Sequence, residues 1–383
     1  MSEVRVQRQH PAAFTLIGIG AATAAAHIGN NFTTYLVGGL IDRFGFTPSA
    51  MGAWNMAETL SYAAAMFVIA PRARSLDARV LAIAATLLVV LAQALSALTG
   101  SFALLLLGRI GTGLGFGIMN SAVNLAAGRT AHPARWISLG ISVQTLLYVG
   151  VSIGVPMIGA RYGVQGMFMG LAALSAALGL LTLLLPGGTG LTQGAPTGNA
   201  PIGSEGRRVL LAMAFFAFGS LAIWPFMERT AHAINIPATR FGLYQSAAVL
   251  ASALGNAALA AFIKRLPRAW PLALALGACG IACALLTTVR TEPAFAAAFI
   301  GYMVSWFLTY PLLLGLAYAH DASGRLAVMT TGTWLLAQSL GSLVAGFIAQ
   351  DFGGYTPIGP LGGAICLLAI ATALPVARRL DRG

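Results

Sequence analysis

The sequence predicts an all-α integral membrane protein with twelve transmembrane helices, arranged as two pseudo-symmetric six-helix bundles. Three observations carry this expectation: the composition, the spacing of the apolar runs and the placement of the basic residues. Of the 383 residues, 58% are hydrophobic and only 8% are charged, and the mean hydropathy is +0.82. A soluble domain is about 25% charged, so this chain cannot coat itself for water. A soluble enzyme, a nucleic-acid binder and a disordered chain are excluded. Long apolar runs favour helices over barrel strands, which would alternate polar and apolar residues.

At about 20 residues per crossing, the apolar runs read as spans at 13–38, 49–70, 80–98, 102–127, 137–159 and 166–185. A second set follows at 209–231, 240–262, 271–289, 294–318, 327–350 and 357–377. Pro48, Pro71, Pro133, Pro271, Pro293 and Pro357 punctuate the short connections. Arg5 and Arg8 before an apolar run imitate a signal peptide, with Ala24 and Ala26 imitating its cleavage site. The run continues past Tyr35 with no polar domain behind it, so it is read as span 1. Residues 186–208 are rich in Gly, Pro and Thr and read as a flexible linker. The expected organisation is therefore a bundle over 1–185, a linker over 186–208 and a bundle over 209–383.

The net charge of +12 would suggest nucleic acid in a soluble protein. Here the basic residues alternate between loops. Arg5, Arg8, Arg72, Arg74, Arg79, Arg129, Arg135, Arg207, Arg208, Lys264, Arg265, Arg268, Arg325, Arg378, Arg379 and Arg382 fall on one side. Only Arg43, Arg161, Arg229, Arg240 and Arg290 fall on the other, and Arg109 lies inside a span. By the positive-inside rule, both termini and the linker are expected in the cytoplasm of a cell whose inner membrane holds the chain. The halves echo each other at an offset of 190: Gly52 with Gly242, Ile110-Gly111 with Ile300-Gly301, Arg135 with Arg325, and Tyr162-Gly163 with Phe352-Gly353. A tandem repeat in one orientation follows.

Twelve spans as six plus six, with a central linker and parallel repeats, resemble the major facilitator superfamily. Gly108-Arg109-Ile110-Gly111-Thr112-Gly113 is similar to the family's arginine-glycine pattern in helix 4. The run Gly150 to Gly159, with Gly154 and Pro156, resembles the helix 5 motif of antiporters, departing by the insertion of Val155. The loop around Arg72, Arg74, Asp77 and Arg79 keeps the family's basic cluster but lacks its glycine. The resemblance implies alternating access: two bundles rock about a central cavity and expose one site to each side in turn.

An ionisable side chain at mid-membrane costs roughly 2.5–3.5 kcal/mol on insertion scales, which makes it a functional candidate. Arg109 lies about 10 Å into span 4 and Glu58 about 14 Å into span 2, measured from the same side. One reading makes Arg109 an anion contact and Glu58 a proton carrier; the other makes them a structural ion pair. His27, Asn30, Asn31 and Thr34 recur at helical spacing on span 1, which lines the cavity in the family. They read as cavity-lining residues or as hydrogen bonds between helices. Gln144 and Tyr148 on span 5, and Asn120 and Asn124 on span 4, divide between the same readings. Trp224 and Glu228, four apart on span 7 near the outer side, read as an entry or gate pair or as a solvated salt bridge with Arg229 or Arg240. Tyr302, Trp306 and Tyr310 form an aromatic stripe on span 10, read either as substrate stacking or as packing, and Trp334 and Gln338 form a weaker pair on span 11.

Other patterns carry no chemistry. Gly111 to Gly117 lacks the strand–turn–helix of a dinucleotide site, Asp351-Phe352-Gly353 ends a helix, and Asn31-Phe32-Thr33 is a sequon within a span. Cys279, Cys283 and Cys366 read as small packing residues. No cofactor, metal site or phosphate loop is expected, so the energy comes from a gradient. The reading is a non-enzymatic, monomeric secondary active transporter, proton-coupled, whose partners are a small molecule, protons and lipid and not nucleic acid. The substrate is an amphipathic or anionic small organic molecule, and the span 5 motif leans towards export. Uptake of an organic acid by symport and a non-transporting sensor or scaffold are the alternatives.

Overall fold

The computed structural model describes residues 12–130, 133–187, 202–262, 266–321 and 325–382. Most of the expected linker, together with Arg5, Arg8, Lys264 and Arg265, lies outside them. The first half contains α1 (Ala12–Phe44), α2 (Pro48–Ile69), α3 (Ala78–Ala97) and α4 (Phe102–Gly128), then one long helical stretch, Pro133–Leu181. Gly163 divides that stretch, because its φ of 67° and ψ of −168° are not helical. Its arms are α5 (133–162) and α6 (164–181). The second half contains α7 (Ser204–Leu221, with a further turn at Met227–His232), α8 (Ala238–Phe262), α9 (Ala269–Thr288), α10 (Glu292–His320), α11 (Arg325–Asp351) and α12 (Ile358–Leu380).

Nine stretches among the described residues are long and apolar enough to cross a membrane, and one of them, 135–184, contains both α5 and α6. The remaining helices, α2 and α8, are 22 and 25 residues long. Their hydropathy is diluted by Asn55 and Glu58 in one and by Arg240, Gln245 and Asn256 in the other.

The helices alternate in direction, as their end contacts record. At the face where α1 begins and α12 ends, Arg129 donates to the carbonyls of Leu76 and Pro186, at 2.8 and 3.3 Å. On the same face Asp381 accepts from the amides of Arg268 and Ala269, at 2.7 and 2.9 Å. At the opposite face Phe46 packs edge-on to Phe102 at 5.4 Å, and Arg240 pairs with Glu292 at 2.9 Å.

Within the first half α1 packs on the α5–α6 stretch and on α4, and α4 also packs on α2 and α3. In the second half α12 packs on α7 and α9, and α10 on α8 and α9. Two seams join the halves, α2 against α11 and α5 against α8. They are equivalent under the 190-residue offset. Gly52 lies against the carbonyl of Ser342 in one seam, and Gly242 against the carbonyl of Ser152 in the other, so close that a side chain at either position would collide. The helix-ending pair repeats as well: Gly163 and Gly353 both take a left-handed φ, 67° and 70°, which suits glycine.

One expected element is corrected. The sequence predicts span 7 as a single helix with Trp224 and Glu228 one turn apart. The structure breaks it by a tight turn at Trp224–Phe226. Pro225 supplies no backbone N–H and its ring crowds the preceding turn, so the α-helix stops there.

Candidate functional site

Three groups of polar residues occupy the interior. The first surrounds Arg109, which is 2% exposed. Its guanidinium pairs with Glu58 at 2.7 Å, donates to Thr33 and to Asn55 (3.4 Å), and lies 3.8 Å from the centre of the Trp54 ring. Thr112, one turn along α4, donates to the Glu58 carboxylate at 3.0 Å. The depths read from the sequence thus bring Arg109 and Glu58 together, while Thr33, Trp54 and Asn55 were not anticipated. All five partners belong to the first half. Asn55 then reaches out of it, donating to the Ser342 hydroxyl of α11 at 2.8 Å. Thr59, the next turn of α2, meets Ser339 at 2.7 Å.

The second group joins α1 to the second half. Gln338 donates to the Asn30 side-chain oxygen at 2.6 Å, Trp224 to the Asn30 carbonyl at 2.7 Å, and Gln245 to the Asn31 carbonyl at 3.1 Å. His27, one turn before Asn31, is held by the Thr23 carbonyl at 2.9 Å and faces Tyr62 at 6.4 Å between ring centres. Beside Gln338 on α11, Trp334 packs with Trp306 and Tyr310 of α10, at 6.2 and 5.4 Å. Trp306 and Tyr310 are parallel at 5.8 Å, and Phe216 stacks on Trp306 at 5.9 Å.

The third group lies towards the opposite face. Arg229 pairs with both oxygens of Asp42, at 2.6 and 2.9 Å, and with Glu228 at 2.7 Å. The Glu228 amide donates to Thr34 at 2.7 Å, and its carboxylate lies against Gly38. Tyr355, in the connection before α12, stacks on Phe226 at 5.3 Å, and burial pushes its hydroxyl up to about 12, which keeps it uncharged beside these carboxylates. The break at Pro225 explains the register. It lays Trp224, Glu228 and Arg229 along Asn30, Thr34, Gly38 and Asp42, which recur every four residues on one face of α1. Glu228 is therefore not solvated, being 3% exposed, and its partner is Arg229 rather than Arg240.

The sequence-derived candidates thus separate. His27, Asn30, Asn31, Trp224, Trp306, Trp334 and Gln338 fall in or beside the central group, and Arg109 with Glu58 forms its own pair. Glu228 belongs to the opposite-face network. Tyr148 and Tyr302 are packed inside their own halves, their hydroxyls donating to the carbonyls of Ala24 at 2.7 Å and Ser220 at 2.9 Å. Gln144 is half-buried on α5, and Asn124 is exposed one turn beyond the half-buried Asn120. The three cysteines are buried and unbridged. Among the described residues no group of three or more His, Cys, Asp or Glu could hold a metal ion.

No family model matches the sequence, and no curated protein matches it. Solved structures do. The human organic anion transporter MFSD10 is 18% identical, with a TM-score of 0.68 over 94% of this chain and 98% of that one. The nucleoside transporter NupG is 14% identical, with a TM-score of 0.73 over 96% and 99%. The D-xylose-proton symporter is 11% identical, with a TM-score of 0.72 over 95% of each chain. These similar proteins are membrane transporters and not enzymes. The twelve-helix, two-bundle chain therefore has the fold of these membrane transporters, with no subfamily singled out.

Proposed function

We propose that the chain is a secondary active transporter that moves a small organic molecule across the inner membrane by alternating access, coupled to protons. The observation that carries the coupling is the Glu58–Arg109 pair, buried and joined through Asn55 to Ser342 of the other half. A proton on Glu58 removes the charge that holds Arg109. The guanidinium then draws more strongly on Thr33 and Asn55, and Asn55 is the side chain that bridges the halves. Protonation and the hold between bundles are thereby linked. With both termini cytoplasmic, as the basic asymmetry indicates, the seams fastened near the opposite face close the outer side.

Export is favoured by the span 5 motif, whose Pro156 packs beside Gly242 in the α5–α8 seam. Symport uptake is the alternative reading, and the direction of the pH gradient that drives accumulation separates the two. Counterflow exchange separates both from a non-transporting sensor.

The test is Glu58→Gln in proteoliposomes. Proton-driven accumulation is expected to be lost while counterflow exchange persists. Accumulation at the wild-type level would remove Glu58 as the proton carrier.

A further inference from the structure

The interior charges and the unused hydrogen-bonding groups together define a ligand. Arg109 is enclosed by Glu58, Thr33, Asn55 and the face of Trp54, and Arg229 by Asp42 and Glu228. Each guanidinium is already neutralised by a carboxylate, and the Nε of Arg109, although without a hydrogen-bond partner, is buried beside Glu58. His27 already uses one ring nitrogen on the Thr23 carbonyl. Three polar atoms in or beside the aromatic group are buried without a partner: Nε1 of Trp306, Nε1 of Trp334 and Oε1 of Gln338. Gln338 is 1% exposed, and its amide nitrogen is fixed on Asn30, so its oxygen cannot turn away to find another donor. Groups of this kind are costly to leave unmet and favour a ligand that satisfies them. Around them Trp306, Tyr310 and Trp334 present ring faces and edges from two helices.

We propose that Trp306, Tyr310, Trp334 and Gln338 form a binding site for an uncharged, planar aromatic molecule with hydrogen-bond acceptors and a donor on its edge; this rests on the transport reading above. The ring stacks among the aromatic side chains. Its acceptors take the two indole N–H groups, and a donor on the same ring reaches the Gln338 oxygen. A carboxylate finds no unpaired cation at this site and faces the Gln338 oxygen. A cation faces two N–H donors. A polyol leaves the ring faces unused.

The test is a thermal-shift titration of the purified full chain with four probe sets. These are neutral heteroaromatics that carry both acceptors and an N–H donor (2-aminopyrimidine, adenine, nicotinamide), aromatic carboxylates (benzoate, quinaldate), phenyltrimethylammonium, and xylitol. The neutral set is expected to stabilise the protein and the other three to leave it unchanged. Trp306→Phe and Trp334→Phe keep a ring and delete one N–H, so each is expected to weaken binding of the neutral set about fivefold. A shift by the carboxylates, the cation or the polyol instead, no shift by any set, or equal binding by both Phe variants would overturn the proposal. Failure of the underlying reading looks different. The neutral probes would then bind but show no counterflow exchange in proteoliposomes. Exchange of a solute of another class would spare the transport reading and sink this one.

Discussion

Arg109 and Arg229 are both buried arginines held by carboxylates, yet their partners divide differently between the halves. Arg109 finds Glu58, Thr33, Asn55 and Trp54 all within the first half. Arg229 belongs to the second half and takes Asp42 from the first. A rigid rotation of one bundle against the other leaves the first set of bonds intact and must break the second. The surroundings agree with this. Glu58 is 2% exposed, whereas the Asp42 side chain is 57% exposed, so water can take over one carboxylate but not the other. On the proposed alternating access, the same chemistry therefore serves as a titratable pair carried within one bundle in one place and as a fastening between the two bundles in the other.

The largest expected effect breaks the internal pair. Arg109→Ala leaves Glu58 buried without its cation, and losing one partner of a buried pair costs about 3–5 kcal/mol. Thermal unfolding in detergent should show a large fall in stability, with transport lost. Adding Glu58→Gln should recover much of the stability but no proton-driven transport. A single variant as stable as wild type would mean that Glu58 and Arg109 do not depend on each other.

A smaller effect is expected at the fastening. Asp42→Asn weakens a bond whose carboxylate is already half in water, by about 1 kcal/mol, or roughly fivefold in the balance between open and closed forms. Spin labels at the exposed Arg43 and Ala233 positions, on either side of the junction, should report more of the wider separation. An unchanged distance distribution would show that Asp42 does not hold the halves.

The smallest effect is expected for Arg240→Gln. Its partner Glu292 lies in the same half, and the pair is 56% and 32% exposed. Stability should change by less than about 1 kcal/mol, and transport should be unchanged. Loss of transport here would mean that charge near the opposite face matters irrespective of which half carries it.

Much of this contrast was legible before the structure, for reasons that differ from residue to residue. Hydropathy locates helices because the bilayer core demands long apolar runs, and it blurs where polar residues begin. The apolar run of span 1 ends at 38, whereas α1 runs to Phe44 and carries Asp42 within it. The Arg109–Glu58 pairing could be read from depth, since α2 and α4 run in the same direction. Thr33 and Asn55 could not, because nothing in the sequence tells which turn of one helix faces which turn of another. The fastening was hidden by Pro225, whose break changes the phase of Glu228 and Arg229 against α1. Its trace in the sequence was the four-residue recurrence of Asn30, Thr34, Gly38 and Asp42. Spacing placed Tyr302 on a stripe with Trp306 and Tyr310, but it could not tell that Tyr302 turns into its own bundle.

The claim that the halves must part at the opposite face is tested most directly by pinning them. Ser49 of α2 donates a hydrogen bond to Gln350 of α11 across the seam. The native cysteines are buried and will not interfere. In the doubly substituted protein Ser49→Cys/Gln350→Cys, oxidation to a disulfide is expected to abolish transport, and reduction is expected to restore it. Full transport by the oxidised, cross-linked protein would contradict the account.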